Sequence, residues 1–396
     1  MTSISNKPLP PSEAAESRAE SQVEDRIDAA FERFQDPRKI FHHVDRLYEL
    51  RTTGDTRPVH LGLGLTNYCN HKCPWCYINW HQSGRASERS GAGDRTRRAI
   101  NAEDRILEAV GEAVEMGLKA VTIAGDGEPT LHPRFPEILD RLKAMGLDIG
   151  IFSNFGTAND ACLDAMARNC FFVRGSIDAA SKEVHAYTHG AEDFDAVIAN
   201  LRRLVDLRGE NKRPIIGVQY VMNHKNIWEV PRAAEFYKSL GVDYLTLKPA
   251  YKNELNPAHP ENEVDVAEAI RLMTAAKSQE TSSFKVYAKF PQLKEVVGHK
   301  TNGGRYYKKC QATPLSPYLD EDGNVEMCGN LKGRGTTMGN VFESSFQEIW
   351  ASARRKECLA SIDLNTCPSG CKLDPLNKVL WDAFYPDVDS VHPNFV

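Results

Sequence analysis

Between residues 59 and 249 short apolar runs alternate with longer amphipathic stretches. The runs at 59–65, 120–124, 148–152, 171–177, 215–221 and 244–247 are nearly continuous in apolar or β-branched residues. Strands buried on both faces read this way, and such strands lie in parallel sheets covered by helices. The stretches at 102–116, 135–145, 160–167, 196–207 and 231–240 carry apolar positions at helical spacing. Asn101 is placed as an N-cap for the first, and Gly117 and Gly146 as stops. Six β/α units predict an α/β fold, a partial (β/α)6 TIM-like barrel whose functional loops follow the carboxyl ends of the strands.

The flanks read differently. Residues 1–36 are rich in Ser, Glu, Ala and Pro and poor in large apolar side chains, which predicts a partly disordered polar segment with a helix beginning near Glu24. Ile40, Phe41, Val44, Leu47 and Tyr48 fit a helix over 38–52 that packs on the core. The barrel is thus expected over 37–250. A connecting region follows over 251–308, with a loop at Asn256-Pro257 and His259-Pro260, a helix over 264–277 and a Gly-rich stretch at 298–305. Residues 309–396 form a small cysteine-rich extension, with a hairpin over 318–328 turning at Asp322-Gly323.

Composition narrows the class. Hydrophobic content of 41% and charged content of 26% are those of a soluble globular protein. No apolar run approaches the ~18 residues of a membrane span, and no secretory signal core is visible. A net charge of −5 gives no reason to expect nucleic-acid binding; basic runs such as Arg95-Thr96-Arg97-Arg98 and Arg202-Arg203 read as solvated faces or loops. Ten cysteines without a secretion signal point to a reducing cytoplasm and to metal binding.

Three of those cysteines, Cys69, Cys73 and Cys76, fall within eight residues as C-x3-C-x2-C, directly after the first strand. Three thiolates can hold three irons of a [4Fe–4S] cube and leave the fourth open, whereas electron-transfer clusters fill all four positions. Zinc, with His71 as fourth ligand, is the alternative; His71 lies between the first two cysteines, an awkward place for a closed tetrahedron. The run resembles the cluster motif of the radical S-adenosylmethionine (radical SAM) superfamily, C-x3-C-x-Φ-C, with Trp75 as the aromatic residue. The resemblance implies that the open iron chelates S-adenosylmethionine. Its reductive cleavage yields a 5′-deoxyadenosyl radical that abstracts hydrogen from substrate, with flavodoxin or ferredoxin as the reducing partner. It also implies adenine contacts from Trp75 and Tyr77.

Further segments agree in order. Gly125-Asp126-Gly127-Glu128-Pro129 follows the second strand and resembles the family's GGEP motif, with Asp126 in place of the second glycine; its carboxylates are candidate acceptors for the methionyl ammonium. Ser153-Asn154 and Ser176-Ile177-Asp178 end the third and fourth strands, where Ser153, Asn154, Ser176 and Asp178 look like ribose- and carboxylate-contacting positions. Gln219 and Val221, ending the fifth, are placed at the adenine border, and Lys248, ending the sixth, at the substrate. His185, Tyr187, His189 and Tyr251 near the mouth are further candidates for binding hydroxyls or relaying protons.

Four more cysteines, Cys310, Cys328, Cys367 and Cys371, form a closed set compatible with zinc or a second [4Fe–4S] cluster. Beside the first motif the cluster is favoured, and the pattern resembles the SPASM and twitch extensions of the same superfamily. Ser361 stands where the SPASM register has a cysteine and none follows Cys371, so one auxiliary cluster is expected, with Cys358 a packed helix thiol or an alternate ligand. Cys162 and Cys170 read as buried thiols. These features together predict a radical SAM oxidoreductase acting on a small polyhydroxylated molecule: a sugar, aminocyclitol or nucleoside. A maturase modifying a peptide or protein side chain is the alternative.

Overall fold

The computed structural model describes residues 36–76, 92–211, 213–250, 262–297, 305–332, 334–367 and 370–386. Tyr77, Tyr251, the 256–260 loop, the 1–35 segment and most of the 298–305 stretch lie outside them. The six apolar runs are parallel strands: β1 His60–Leu63, β2 Ala120–Ile123, β3 Asp148–Ser153, β4 Cys170–Ser176, β5 Ile215–Met222 and β6 Tyr244–Pro249. A seventh parallel strand, β7 Lys285–Ala288, pairs with β6 inside the stretch expected to be a mere connection. Its Lys-Val-Tyr-Ala sequence carries no apolar run because it is an edge, with only Val286 fully buried.

The hairpin and its neighbour supply β8 Tyr318–Leu319, β9 Asn324–Glu326 and β10 Thr337–Asn340, with Gly323 turning at positive φ as expected. β8 pairs in parallel with β1, so the C-terminal region continues the barrel sheet. The order is β10-β9-β8-β1-β2-β3-β4-β5-β6-β7, an open sheet.

The helices are α1 Val44–Thr53, α2 Ala92–Glu115, α3 Phe135–Ala144, α4 Asp160–Asn169, α5 Lys182–His189 and α6 Phe194–Arg208. They continue as α7 Val230–Ser239, α8 Val266–Lys277, α9 Phe290–Val297, α10 Phe346–Ala351, α11 Ala353–Ala360 and α12 Asp374–Phe384. Asn101 lies inside α2 and is no cap; the helix begins at Ala92, Gly93 and Asp94 fall in its first turn, and the three arginines that follow are good helix formers. The basic run Arg95-Thr96-Arg97-Arg98, read as a solvated face or a loop, is therefore on a helix. The α1 region also departs from expectation. Phe41, Val44 and Tyr48 are exposed, and Ile40 and Leu50 pack with Leu315, Leu380 and Phe384 in a separate cluster that ties α1 to α12.

Alternation along the strands sorts the barrel faces. Ile151, Val173, Val218 and Leu247 are fully buried in the core, while Phe152, Arg174, Gln219 and Lys248 on the alternate face are half-buried. This second face lines the lumen. Aromatic rings fill its lower part: a Cβ on Gly217 would lie 2.1 Å from the Tyr244 ring.

Glu326 on β9 is buried, and burial pushes its carboxyl up to about 7, although the Thr337 hydroxyl donates to it at 2.7 Å. The folded state therefore binds a proton that the unfolded chain releases above its ordinary value of 4.5. This contribution is fully present below that value and is lost as pH rises through about 7. Glu326→Gln is expected to stabilise the holoprotein by about 2 kcal/mol at pH 8 and by little at pH 4. Denaturant titrations at both pH values check it; equal shifts at the two would refute it.

Candidate active site

The cysteine loop leaves β1 and is laced to the loop after β2. The Gly127 amide donates to Thr66 O at 2.9 Å and the Glu128 amide to Tyr68 O at 2.7 Å. A Cβ on Gly127 would sit 2.0 Å from Tyr68 O, so this contact of two backbones requires glycine there. The third tie runs from the Lys72 amide to His189 O at 2.8 Å. Gly125 packs against Thr66, and Pro129 opens the short 3-10 helix Pro129–Leu131.

The two carboxylates of the Gly-Asp-Gly-Glu-Pro loop both have partners within the fold. Glu128 is buried, and burial raises its carboxyl. It accepts from Thr130 N (3.1 Å), Thr130 Oγ1 (2.8 Å), Ser153 Oγ (2.7 Å) and Asn154 N (2.7 Å). It staples β2 to β3, with Oε1 accepting three of these bonds and Oε2 one. Asp126 points away from the cysteine loop to Lys332 and accepts from Tyr318 OH at 3.3 Å. Ser153 is likewise spent, donating to Glu128 and accepting from Phe155 N at 3.0 Å. Asn154 serves the cysteines instead: its Nδ2 donates to Asn70 Oδ1 at 2.9 Å and reaches Cys69 Sγ at 3.7 Å.

Histidines back the same loop from α5, an element the sequence reading missed because Lys182–His189 lacks a run of strong helix formers. The Asp178 amide donates to His189 Nε2 at 3.1 Å, which places the His189 proton on Nδ1. That Nδ1 faces His71 Nδ1 at 3.0 Å and Cys73 Sγ at 3.5 Å. His71 Nε2 then donates to Asp193 at 3.0 Å, and His185 Nε2 to the other Asp193 oxygen at 2.9 Å. Burial lowers the basicity of both His185 and His189. His71 is engaged in this relay through both ring nitrogens, and its ring also lies within metal-ligating distance of Cys73 and His189, and of His185 and Asp193. Trp75 packs against Tyr187 and His224, with ring centroids 5.7 and 6.0 Å apart, and its buried indole N–H has no partner among the described residues.

The remaining rim residues cluster at the strand ends. Ser176, Gln219 and Thr246 are register partners across β4, β5 and β6, and Val221 is opposite Lys248. Asp178 accepts from Val221 N at 2.7 Å. Burial pushes its carboxyl up to about 7 and the Lys248 ammonium down to about 8.

Cys310, Cys328, Cys367 and Cys371 converge in one small apolar cluster with Ala312, Leu331 and Leu373. Asn377 Nδ2 donates to Cys310 Sγ at 3.4 Å and Asn330 Nδ2 to Cys371 Sγ at 3.5 Å. Cys358 stands apart in the main core, its thiol donating to Thr337 O at 3.6 Å, so the second set has four sulfurs. Cys162 and Cys170 are buried core thiols, as expected.

Both sets suit iron–sulfur clusters. Burial and then neighbouring cysteines push Cys367 up to about 11 and Cys73 well above its usual value; Cys69 rises to about 11, mainly through burial. Thiols held this close repel as thiolates unless a cation joins them, which iron does. The first set offers three sulfurs, and the side chains nearest them among the described residues, His71 and His189, have partners of their own; the second offers four.

Family comparison agrees with this geometry. The Radical SAM superfamily model matches residues 63–237 and the SPASM iron–sulfur cluster-binding domain matches 310–372. The chain belongs to the radical SAM superfamily and carries a C-terminal SPASM domain, and its cofactors are a [4Fe–4S] cluster with S-adenosylmethionine and auxiliary iron–sulfur chemistry. It is 24% identical over 308 residues to the tungsten-containing aldehyde ferredoxin oxidoreductase cofactor-modifying protein of Pyrococcus furiosus, covering 74% of this chain and 81% of that one. It is 30% identical over 195 residues to a probable GTP 3′,8-cyclase of Metallosphaera sedula, covering 47% of this chain and 54% of that one. In fold it resembles Streptococcus suis SuiB bound to S-adenosylmethionine, at TM-score 0.62 and 15% identity, over 83% of this chain and 76% of that one. It also resembles anSMEcpe with bound AdoMet, at TM-score 0.54 and 16% identity, over 86% and 96%. No described helix is long and apolar enough to cross a membrane.

Proposed function

We propose that this chain is a radical SAM oxidoreductase that abstracts hydrogen from a small polyhydroxylated molecule such as a sugar, aminocyclitol or nucleoside. The carrying observation is the pairing of an open three-thiol set on the loop after β1 with a closed four-thiol set in the C-terminal domain. Cys69, Cys73 and Cys76 hold the first cluster; Cys310, Cys328, Cys367 and Cys371 hold one auxiliary cluster. When bound and reduced by a partner such as flavodoxin or ferredoxin, the first cluster cleaves S-adenosylmethionine to the radical that takes the hydrogen atom.

The chain's own residues set the stage for this. Asn154 and His189 offer N–H groups to Cys69 and Cys73 sulfurs, which tunes a cluster's potential. The Gly125–Pro129 backbone meets the methionyl group, Trp75 the adenine, and Ser176, Gln219 and Val221 the nucleoside side of the mouth. An auxiliary cluster held by Cys310, Cys328, Cys367 and Cys371 would supply a one-electron acceptor for such an oxidation.

A second reading, modification of a peptide or protein side chain, draws on the fold likeness to SuiB, which has also been solved with its precursor peptide SuiA. Anaerobic reconstitution tests the proposal. About eight irons per chain, four for each cluster, and 5′-deoxyadenosine on adding dithionite and S-adenosylmethionine are expected. Deuterium passing into deoxyadenosine from a labelled polyol supports the first reading, and from a labelled peptide the second. Full iron content without deoxyadenosine overturns both.

A further inference from the structure

The barrel lumen holds two cations, Arg174 and Lys248, that no carboxylate among the described residues pairs with. Arg174, on the lumen face of β4, stacks its guanidinium 3.6 Å above the Phe152 ring, and its buried Nε has no hydrogen-bond partner. No carboxylate among the described residues pairs with it. Lys248, two strands away on β6, likewise has no ion pair among them. Burial and then the Arg174 charge make its protonation harder, and Lys372 adds to the repulsion. Arg174 also acts on Lys289 and on Lys372, whose own ammonium is lowered first by burial. The carboxylate drawing on Lys248 is Asp178, already engaged by the Val221 amide.

Buried cations elsewhere in the fold are treated differently. Arg46, Arg208, Arg305, Lys332 and Arg355 each face a carboxylate. Removing a cation from water without a counter-charge costs several kcal/mol, and proteins with stability to spare of ~10 kcal/mol rarely keep such groups unpaired without use. In a chain of net charge −5 this local excess is not a general bias.

Position gives the excess a use. Asp178 is within the electrostatic reach of Cys73; Lys248 is within that of Asp178 and of Lys372; Lys372 is within that of Cys371 and Cys328. The charged residues thus form a series, each within electrostatic reach of the next, between the three-thiol loop and the four-thiol cluster.

We infer that the substrate is a small molecule bearing an anionic group, a phosphate ester or a carboxylate, which Arg174 and Lys248 grip inside the barrel. The inference rests on the small-molecule reading above and narrows it. Arg174 supplies a planar fork suited to two oxygens, held flat by Phe152, and Lys248 a compact point charge from the opposite side of Gly217 and Gln219. The anion acts as an anchor that leaves the carbon to be oxidised free to face the cysteine loop.

Calorimetric titration of anaerobically reconstituted holoprotein with inorganic phosphate and, separately, succinate tests this. One of the two is expected to bind at one equivalent in low salt and to weaken as salt rises. Phosphate alone binding marks a phosphate ester; succinate alone marks a carboxylate. Arg174→Gln and Lys248→Met should each weaken binding about tenfold or more, and Lys248→Arg should restore most of it. The surface change Arg203→Gln should leave it as it was. Iron content and unfolding midpoint report folding; should Arg174→Gln lose iron, the Lys248→Met and Lys248→Arg pair carries the comparison. Binding of neither anion to the wild type, or equal binding to Lys248→Met, overturns the inference. Deoxyadenosine formation is scored separately, so phosphate binding without it removes the radical reading and keeps the anion site.

Discussion

Cys73→Ala is expected to abolish deoxyadenosine formation, a loss of at least ~10³-fold out of the ~10⁶-fold or more that enzymes supply. The three-thiol set has nothing in reserve. His71 is the nearest potential substitute, and both of its ring nitrogens are engaged, with His189 and with Asp193. Asp178 is bound to the Val221 amide. Two thiols remain, too few to retain a cube with one open corner. Iron should fall from about eight to about four per chain, because the auxiliary set lies in a separate hydrophobic cluster and keeps its own. Cys358→Ala, which removes a thiol bound to Thr337 O in the main core, should leave both iron and deoxyadenosine unchanged. Loss of iron in Cys358→Ala, or a Cys73→Ala protein that still forms deoxyadenosine, would show that the ligands have been misassigned.

What was legible in the sequence was local. The six buried strands announce themselves because each is covered on both faces and so is continuously apolar. β7 does not, because an edge strand buries little more than Val286. The cysteine motif is legible because its three thiols share one loop. The four distant cysteines are legible as a set only through the family's spacing; their company with Asn330 and Asn377 comes from folding. Arg174 was there to be noticed, a lone charge inside the otherwise apolar run Cys170–Ser176. A charge in a doubly covered strand has to face the lumen. The partners of Asp126 and Glu128 were not legible in the sequence. A carboxylate in a ligand-binding motif invites a ligand, but in the fold each found a partner first, Glu128 on β3 and Asp126 some two hundred residues downstream.

That distant partner sets the second large effect. Lys332→Met is expected to destabilise the holoprotein by about 3–4 kcal/mol. Lys332 is surrounded by Asp126, Asp320 (3.1 Å) and Glu321 (3.6 Å). Burial opposes its charge, yet the three carboxylates together hold its basicity well above that of an ordinary lysine. Burial and then the neighbouring Asp126 already push Glu321 upward, so without the ammonium this pocket cannot keep its negative charge. Asp126→Gly restores the glycine of the family motif and removes one of the charges. Alone it should cost less, about 1–2 kcal/mol, since Lys332 retains two partners. Combined with Lys332→Met it should recover 1–3 kcal/mol relative to the sum of the single changes, the coupling typical of residues in direct contact. The Lys332→Met penalty should also shrink as pH falls, because the exposed carboxylates can then take up protons. Denaturant titrations of the four proteins at pH 5 and pH 8 measure all of this. Additivity would mean that Asp126 and Lys332 merely touch. Coupling would mean that the substituted glycine bolts the motif loop beside the three-thiol site to the hairpin leading into Cys328, so that strain at one cluster is felt at the other.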